Sequence, residues 1–347
     1  MRLPCVRVSA KDVEEVLEFL KSRGAYVRNC KVKKLSDGSV AIPVKEDLDM
    51  SLIKELPAVL VSESCYEDFV CGTLGLSFKD LLTGLIPEGV LRRIPSSYDV
   101  IGDIAVINIP EDLLEYGRLI GEAISRVSRN VRAVYAGSYV SGEYRVRELK
   151  HVFGDPVSKT VHKEYGLRIS VDVLRTYYNP SLAEEHRRIA ELVNDGELVA
   201  DLFCGVGPFS LHIASLRNAT SYAVDFNPDA IKCLIESIGM NRRKLKGRVV
   251  PVLCDVRDFL RIVSDDVFDR VVMNLPLEAL EYVPAVSNKL RVGGVIHVYL
   301  VSYSVEEVKH LVSNAVNPSA FSVVSVKRVL DYAPRKYVFR ADLRRNA

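Results

Sequence analysis

Residues 201–209 read Asp201-Leu-Phe203-Cys-Gly205-Val-Gly207-Pro-Phe209 and lie between an apolar strand-like segment and a helical one. Glycine at such a turn lets the backbone approach a ligand closely, because no Cβ intervenes. The stretch lacks the third glycine of the dinucleotide fingerprint and opens with an acid. That suits a ligand with a cationic amino-acid end better than a pyrophosphate seated on a helix N-terminus. Asp225 ends the next strand segment, where an acid can accept from ribose hydroxyls. Asp255 ends the third, in Val-Leu-Cys-Asp, where it can accept from an adenine amino group. Three acids at three successive strand ends point into one crevice. Asn274-Leu275-Pro276 ends a fourth strand and can offer side-chain and backbone acceptors to a planar base. It also reads as a strand-ending turn.

The elements that must hold these residues alternate. From about Asn179 onward, the segments around LVADLF, SYAVDF, VVPVLCD, RVVMNLP and GGVIHVYLV read as strands separated by amphipathic helices. That alternation predicts an α/β, mostly parallel, doubly wound sheet of the Rossmann-like type. Two late strands, SVVSVKRVL and KYVFRADL, predict an antiparallel hairpin at one edge. Two smaller α+β domains should precede it. Residues 1–62 form a small N-terminal unit whose helix carries Val13, Val16, Leu17 and Leu20. Residues 63–165 form a middle domain with an antiparallel sheet and one amphipathic helix over EDLLEYGRLIGEAISRV. Residues 166–347 form the catalytic domain.

Bulk properties narrow the setting. A hydrophobic content of 48% suffices for real cores. No apolar run is long enough for a membrane span, and the N-terminus has no secretory character. Seven scattered cysteines without a CxxC pair predict neither a disulfide framework nor a zinc site, and hence a cytoplasmic protein. His151, His162 and His186 lack ligand-spaced partners and read as structural or surface groups, so no metal is expected. A net charge of +2 does not announce nucleic acid, so any such partner needs a local basic face. Candidate phosphate contacts are Arg92-Arg93, Arg242-Arg243-Lys244 with Lys246 and Arg248, and Arg340, Arg344 and Arg345.

Several stretches, in order, carry a resemblance: SYDVIGDIAVINIP (97–110), GEYRVRELKHVFGD (142–155), TYYNPSLAEEHRRI (176–189), DLFCGVGPF, MNLP and DYAPRKY (331–337). Together they resemble the archaeal and eukaryotic tRNA (guanine-37-N1) methyltransferases, a family related to the wyosine-pathway tRNA enzymes. The resemblance implies an S-adenosylmethionine-dependent enzyme with a class I methyltransferase domain. It further implies a tRNA partner, held at the anticodon stem-loop and the outer corner, and a monomer. It gives Arg145 a contact with guanine O6 and makes Glu185 the general base. Tyr177 would line the cofactor pocket, with Asp201, Phe203, Gly205, Gly207, Asp225, Asp255 and Asn274. Asn274 and Pro276 would hold the target guanine. Ser181 stands where the family usually has arginine, so no phosphate or ion-pair contact is expected there.

Plainer readings stand beside these. Glu185 sits among Glu184, Arg187 and Arg188 at a helix start and can be an ordinary surface acid. Tyr177 and Tyr178 can be core aromatics. A wyosine-pathway aminocarboxypropyl or C7-methyl transferase shares the pattern, and a non-catalytic RNA-binding module could keep the fold. RNA uridine-C5 methyltransferases need a cysteine after the fourth strand, which NLP does not supply.

Overall fold

The computed structural model describes residues 1–27, 30–46, 48, 61–70, 77–137, 140–141 and 146–346. It separates into two compact units: Met1–Ser96 with Arg118–Arg129, and Ser97–Gly117 with Asn130–Ala347. No helix of the described residues is long and apolar enough to cross a membrane.

In the first unit, β1 (Arg2–Val8), β2 (Lys33–Lys34), β3 (Val40–Pro43) and β4 (Val61–Asp68) form an antiparallel sheet in the order β2-β3-β1-β4. Helix α1 (Val13–Ser22) buries Val16 and Leu20 against Val6, Val8, Val40 and Ile42, as its 3.6-residue spacing requires. Short helices α2 (Phe78–Leu82) and α3 (Glu88–Arg93) and the longer α4 (Gly117–Val127) follow. The single helix expected over 111–127 is instead a 3₁₀ segment, Glu111–Tyr116, that passes into α4. Cys5 faces Cys65 directly across the β1–β4 ladder, and the two are disulfide-bonded; Cys30 is disulfide-bonded as well. This overturns the expectation of no disulfides. Strand register, invisible in the spacing of cysteines, made the pair.

The second unit opens with β5 (Asp99–Ile101), β6 (Ile104–Ile107), β7 (Ala133–Ala136), a small ladder of β8 (Val140–Ser141) and β9 (Val146–Arg147), and β10 (Lys150–Gly154). The order β10-β7-β6-β5 contains a parallel β6–β7 pair, so this sheet is mixed and not antiparallel throughout. A hairpin of β11 (Lys159–Glu164) and β12 (Leu167–Asp172) follows.

The main sheet has seven strands: β13 (Leu198–Leu202), β14 (Thr220–Asp225), β15 (Arg248–Leu253), β16 (Phe268–Met273), β17 (Leu290–Ser302), β18 (Phe321–Ala333) and β19 (Lys336–Arg345). Their order is β15-β14-β13-β16-β17-β19-β18. The first five are parallel, and β19 enters antiparallel to β17 as one arm of the expected edge hairpin. Central strands covered on both faces must be apolar nearly throughout, which is why they were legible. Helices α5 (Ala183–Leu192), α6 (Pro208–Leu216), α7 (Pro228–Asn241), α8 (Val256–Ile262), α9 (Ala279–Ser287) and α10 (Val305–Ala315) cover them. Asn227 caps α7 by accepting from Asp229 N–H and Ala230 N–H, with Pro228 at the first position. Strand order reverses direction between β13 and β16, the place where ligands enter such sheets.

Candidate active site

The sequence-expected residues lie at or just past the C-terminal ends of four adjacent parallel strands, two of which flank that reversal. Asp201 is the penultimate residue of β13, Asp225 closes β14, Asp255 follows β15 and Asn274 follows β16, and these four strands are neighbours in the sheet. The turn after β13 winds left-handed at Phe203, Gly205 and Gly207, with φ of 65°, 55° and 75°. Gly207 lies against Leu234 of α7: a Cβ there would stand 2.4 Å from Leu234 Cδ1. Phe203 accepts the same backbone region although it has a side chain, and its ring packs edge-on to Tyr282 at 4.9 Å.

Asp201 is fully buried. Its Oδ2 accepts from Ser210 Oγ at 2.7 Å, and its Oδ1 has no partner among the described residues. Burial pushes its carboxyl up to about 7, against the pull of the Ser210 hydrogen bonds; the nearby Asp225 pushes the same way. Asp225 braces the turn. Its Oδ2 accepts from Gly205 N–H at 2.7 Å and its Oδ1 from Asn227 N–H at 2.9 Å, and burial raises its carboxyl also. A carboxylate has about four acceptor directions, so Asp225 keeps capacity for a ligand hydroxyl. Asp255 is exposed and caps α8 by accepting from Arg257 N–H at 2.7 Å. For the S-adenosylmethionine that the resemblance implies, this donor set fits: an orphaned buried carboxylate oxygen, a glycine turn and two further strand-end acids.

Tyr177 is exposed and Tyr178 buried, so only the second is a core aromatic. The Tyr177 carbonyl lies 3.5 Å from where a Cβ on Gly205 would stand, which puts this segment against the turn. The Arg147 guanidinium lies 5.9 Å over the Tyr177 ring and pairs with Asp99 at 2.8 Å. Asn274 and Pro276 are half-buried. The Asn274 side chain makes no hydrogen bond among the described residues, whereas the Pro276 carbonyl accepts from Val301 N–H at 3.1 Å. Arg145 lies outside the described residues.

Glu185 is no surface acid. It is 3% exposed, and its Oε1 accepts from the Tyr299 hydroxyl at 2.9 Å and from Arg340 Nη1 at 2.5 Å. Its Oε2 makes no hydrogen bond among the described residues; Arg188 Nη1 stands 3.4 Å away as an ion pair. The Tyr299 ring lies 5.7 Å from that of Phe209, and α5, which carries Glu185, packs against α6, the helix that follows the glycine turn. His186, next in sequence, packs edge-on to Phe209 at 4.6 Å. His186 Nδ1 and His212 Nε2 both meet Glu164 Oε2, at 3.0 and 2.8 Å, and the Tyr178 hydroxyl donates to Glu164 Oε1. The partners that linear spacing denied to His186 are therefore present in space. Three possible ligand atoms come within 4.8 Å of one another, yet each is already engaged by hydrogen bonds within the cluster.

Sequence reasoning missed Tyr299, Glu164 and His212 and misplaced Arg340. Offered as a phosphate contact, Arg340 is 1% exposed and cannot reach RNA. Arg344 is exposed, and Arg345 is half-buried in a pair with Asp266. Arg92, Arg93, Arg242, Arg243, Lys244, Lys246 and Arg248 are exposed, as a phosphate-contacting face requires. A cavity of about 1130 Å³ opens elsewhere, among Asp103, Arg132, Lys159, His162 and Glu236. Its arginine and Lys159 are held in ion pairs with its acids, and no strand-end residue lines it.

Residues 160–324 match the family described as the TRM5/TYW2 methyltransferase domain, and residues 78–157 match the TYW2 N-terminal domain. The tRNA (guanine(37)-N(1))-methyltransferase Trm5b of Pyrococcus abyssi is 36% identical over 98% of this chain and 98% of its own. The crystal structure of that Trm5b superposes with a TM-score of 0.73 at 34% identity, covering 99% of this chain and all of the other. The structure of an aTrm5–tRNALeu complex gives a TM-score of 0.70 at 28% identity, covering 99% of each chain. A tRNA(Phe) (4-demethylwyosine(37)-C(7)) aminocarboxypropyltransferase of Pyrococcus horikoshii is 28% identical over 63% of this chain and 76% of its own.

Proposed function

The chain belongs to the tRNA (guanine(37)-N(1))-methyltransferases of the TRM5/TYW2 family, and from that footing we propose how its own residues carry the reaction. It methylates N1 of guanosine 37 of tRNA, next to the anticodon, and S-adenosylmethionine supplies the electrophilic methyl group.

Guanine N1 holds a proton at neutral pH and is a poor nucleophile until that proton leaves. In the proposed scheme Glu185 takes it on Oε2, the oxygen without a hydrogen bond. Negative charge then builds on O6, where Arg145 would meet it; such a contact in a dry site contributes a few kcal/mol, on the order of 3. Asn274, with its amide uncommitted, and Pro276 hold the base edge-on. Asp201, with its unpartnered Oδ1, would hold the ammonium of the amino-acid end. Asp225 and Asp255 would hold the ribose and adenine, and Tyr177, Phe203, Gly205 and Gly207 would shape the walls. A base in an anticodon loop must be turned out to reach this crevice.

Residues 1–62 and 63–165 are, in this reading, the parts that grip the tRNA at the outer corner and the anticodon stem-loop, with 97–117 and 130–165 folded into the same compact unit as the catalytic residues. In this reading the chain acts as a monomer in the cytoplasm, a location that follows from its tRNA substrate and not from its cysteines, since Cys5 and Cys65 are paired. The observation that supports the assignment of roles is the unbonded Oε2 of a buried Glu185, on a helix packed against the one that follows the glycine turn. Glu185→Gln should lower single-turnover methyl transfer by about 10²- to 10⁴-fold and leave the Kd for S-adenosylmethionine unchanged. Equal loss of cofactor binding would remove its role as base. Mass mapping of the product nucleoside separates methyl from aminocarboxypropyl transfer.

A further inference from the structure

A buried polar seam runs through the sheet beneath Glu185, and the scheme above does not use it. His297 and Tyr299 alternate along β17, Arg340 and Asp342 alternate along β19, and the register sets His297 opposite Asp342 and Tyr299 opposite Arg340. None of the four is more than 6% exposed. Arg340 Nη1 donates to Glu185 Oε1, and its Nε pairs with Asp342 Oδ1 at 2.8 Å. Asp342 is fixed in turn by His297 Nδ1 at 2.6 Å and Ser325 Oγ at 2.5 Å. Arg270 Nη1 reaches His297 Nε2 at 2.7 Å, and an arginine can only donate. His297 therefore carries its proton on Nδ1 and donates it to Asp342. Arg270 is anchored by Glu197 at 2.9 Å.

We propose that Arg340 is the positioning residue of the base: with Tyr299 it occupies Oε1 of Glu185 and so leaves Oε2, buried and faced only by Arg188 at 3.4 Å, as the oxygen that meets guanine N1 once the turned-out base has entered and uncovered it. The inference rests on the reading of Glu185 as base. Two donors on one oxygen remove the freedom of the carboxyl to rotate and choose which oxygen meets the proton. The second carboxylate explains how the arrangement survives the reaction. When Glu185 takes a proton it no longer balances the Arg340 cation. A buried guanidinium without a counter-charge is strongly disfavoured, and Asp342 remains to compensate it. Asp342 itself stays ionised through the cycle because His297, Ser325 and Arg340 all donate to it.

The test is single-turnover methyl transfer by the full chain to a tRNA transcript with guanosine at position 37, at saturating S-adenosylmethionine and tRNA. Arg340→Met, Arg340→Lys, Tyr299→Phe and Glu185→Gln are compared with the parent, and the Kd values for both ligands and the melting midpoint are measured for each. Arg340→Met should lose about 10²-fold in rate, the scale of an ångström of misplacement, with both Kd values unchanged. Arg340→Lys should recover at least half of that loss on a logarithmic scale, and Tyr299→Phe should lose a few-fold. Parental rates in Arg340→Met and Tyr299→Phe overturn the proposal. So does a rate loss matched by loss of ligand binding, or a lysine variant no better than methionine. If Arg340→Met does not fold, Tyr299→Phe decides alone, a parental rate overturning the proposal and a few-fold loss with intact Kd values supporting it. A parental rate in Glu185→Gln sinks the reading of the base beneath it. An inactive Glu185→Gln with indifferent Arg340→Met and Tyr299→Phe sinks only the positioning role.

Discussion

His186 Nδ1 stands 3.0 Å from Glu164 Oε2 in an interior where both residues are 2% exposed. Burial pushes His186 below the ordinary histidine value, though the Glu164 carboxylate pulls the other way. Burial alone would raise Glu164, but the hydrogen bonds from His186 and His212 outweigh it and hold its carboxyl well below the usual carboxylate range. Both shifts act in one direction. The unfolded chain protonates a histidine near pH 6.5 while folded His186 stays neutral, so stability falls as pH drops below about 6.5. Glu164 adds a further loss once pH falls below the unfolded carboxylate value of about 4.3. Asp201 runs oppositely, because its raised carboxyl keeps a proton in the fold and favours the fold as pH falls toward its unfolded value. Comparing the parent with His186→Asn cancels Asp201. Between about pH 6.5 and 5 the parent's melting midpoint should fall more steeply than the variant's. Parallel slopes would show that His186 is not held neutral.

If Asp201 holds the ammonium as proposed, the cofactor affinity should depend on pH. With its carboxyl raised to about 7, a large share of the free protein carries a proton there at neutral pH. A cationic ammonium favours the ionised form, so binding S-adenosylmethionine should release a fraction of a proton at pH 7 and tighten as pH rises. Calorimetry in buffers of different ionisation enthalpy reads that release directly. Asp201→Asn should weaken binding by about tenfold at pH 8, or about 1.4 kcal/mol, and abolish the pH dependence. A proton count of zero in the parent would remove the ammonium from Asp201.

How far the sequence could be read follows from which interactions are local. The strands of the main sheet announced themselves as apolar runs, and Asp201, Asp225, Asp255 and Asn274 fell at the strand ends because each strand's limit was marked by its own residues. Pairing is not local. His297 meets Asp342, and Tyr299 meets Arg340, only because β19 returns antiparallel beside β17, so Arg340 resembled its exposed neighbour Arg344 in the bare sequence. The alternation of His297 with Tyr299 and of Arg340 with Asp342 inside apolar strands was the available signal, since polar residues at period two on a buried face must pair. Cys5 with Cys65 and the parallel β6–β7 pair were hidden for the same reason. Glu164 joins His186 of α5 and His212 of α6 from the β11–β12 hairpin.

The buried state of Arg340 also divides the basic residues by what they can do for tRNA. Arg242 and Arg243 are exposed just after α7 and can release counterions from phosphates, whereas Arg340 cannot. Arg242→Ala with Arg243→Ala should weaken tRNA binding at low salt. It should also lower the slope of log affinity against log salt by roughly one to two units. Methyl transfer at saturating tRNA should be unaffected. An unchanged salt slope would place the RNA on another face.

The two glycines of the turn should fail differently when replaced by alanine. Both wind left-handed, which costs a residue with a Cβ about 1–2 kcal/mol. At Gly205 the new methyl would meet only the Tyr177 carbonyl at 3.5 Å, an ordinary contact, so the loss of stability should stop near that backbone cost. At Gly207 it would stand 2.4, 3.1 and 3.2 Å from Leu234 Cδ1, Cδ2 and Cγ. Leu234 is wholly buried and cannot swing aside without disturbing α7. Overpacking of this kind adds about 1–3 kcal/mol. Gly207→Ala should therefore lower the melting midpoint well beyond Gly205→Ala, and Gly207→Ala paired with Leu234→Ala should not relieve it fully, because the backbone cost remains. Gly205→Ala should show itself chiefly as a weaker Kd for S-adenosylmethionine. Equal melting midpoints for the two single variants would mean that Leu234 does not set the identity of residue 207.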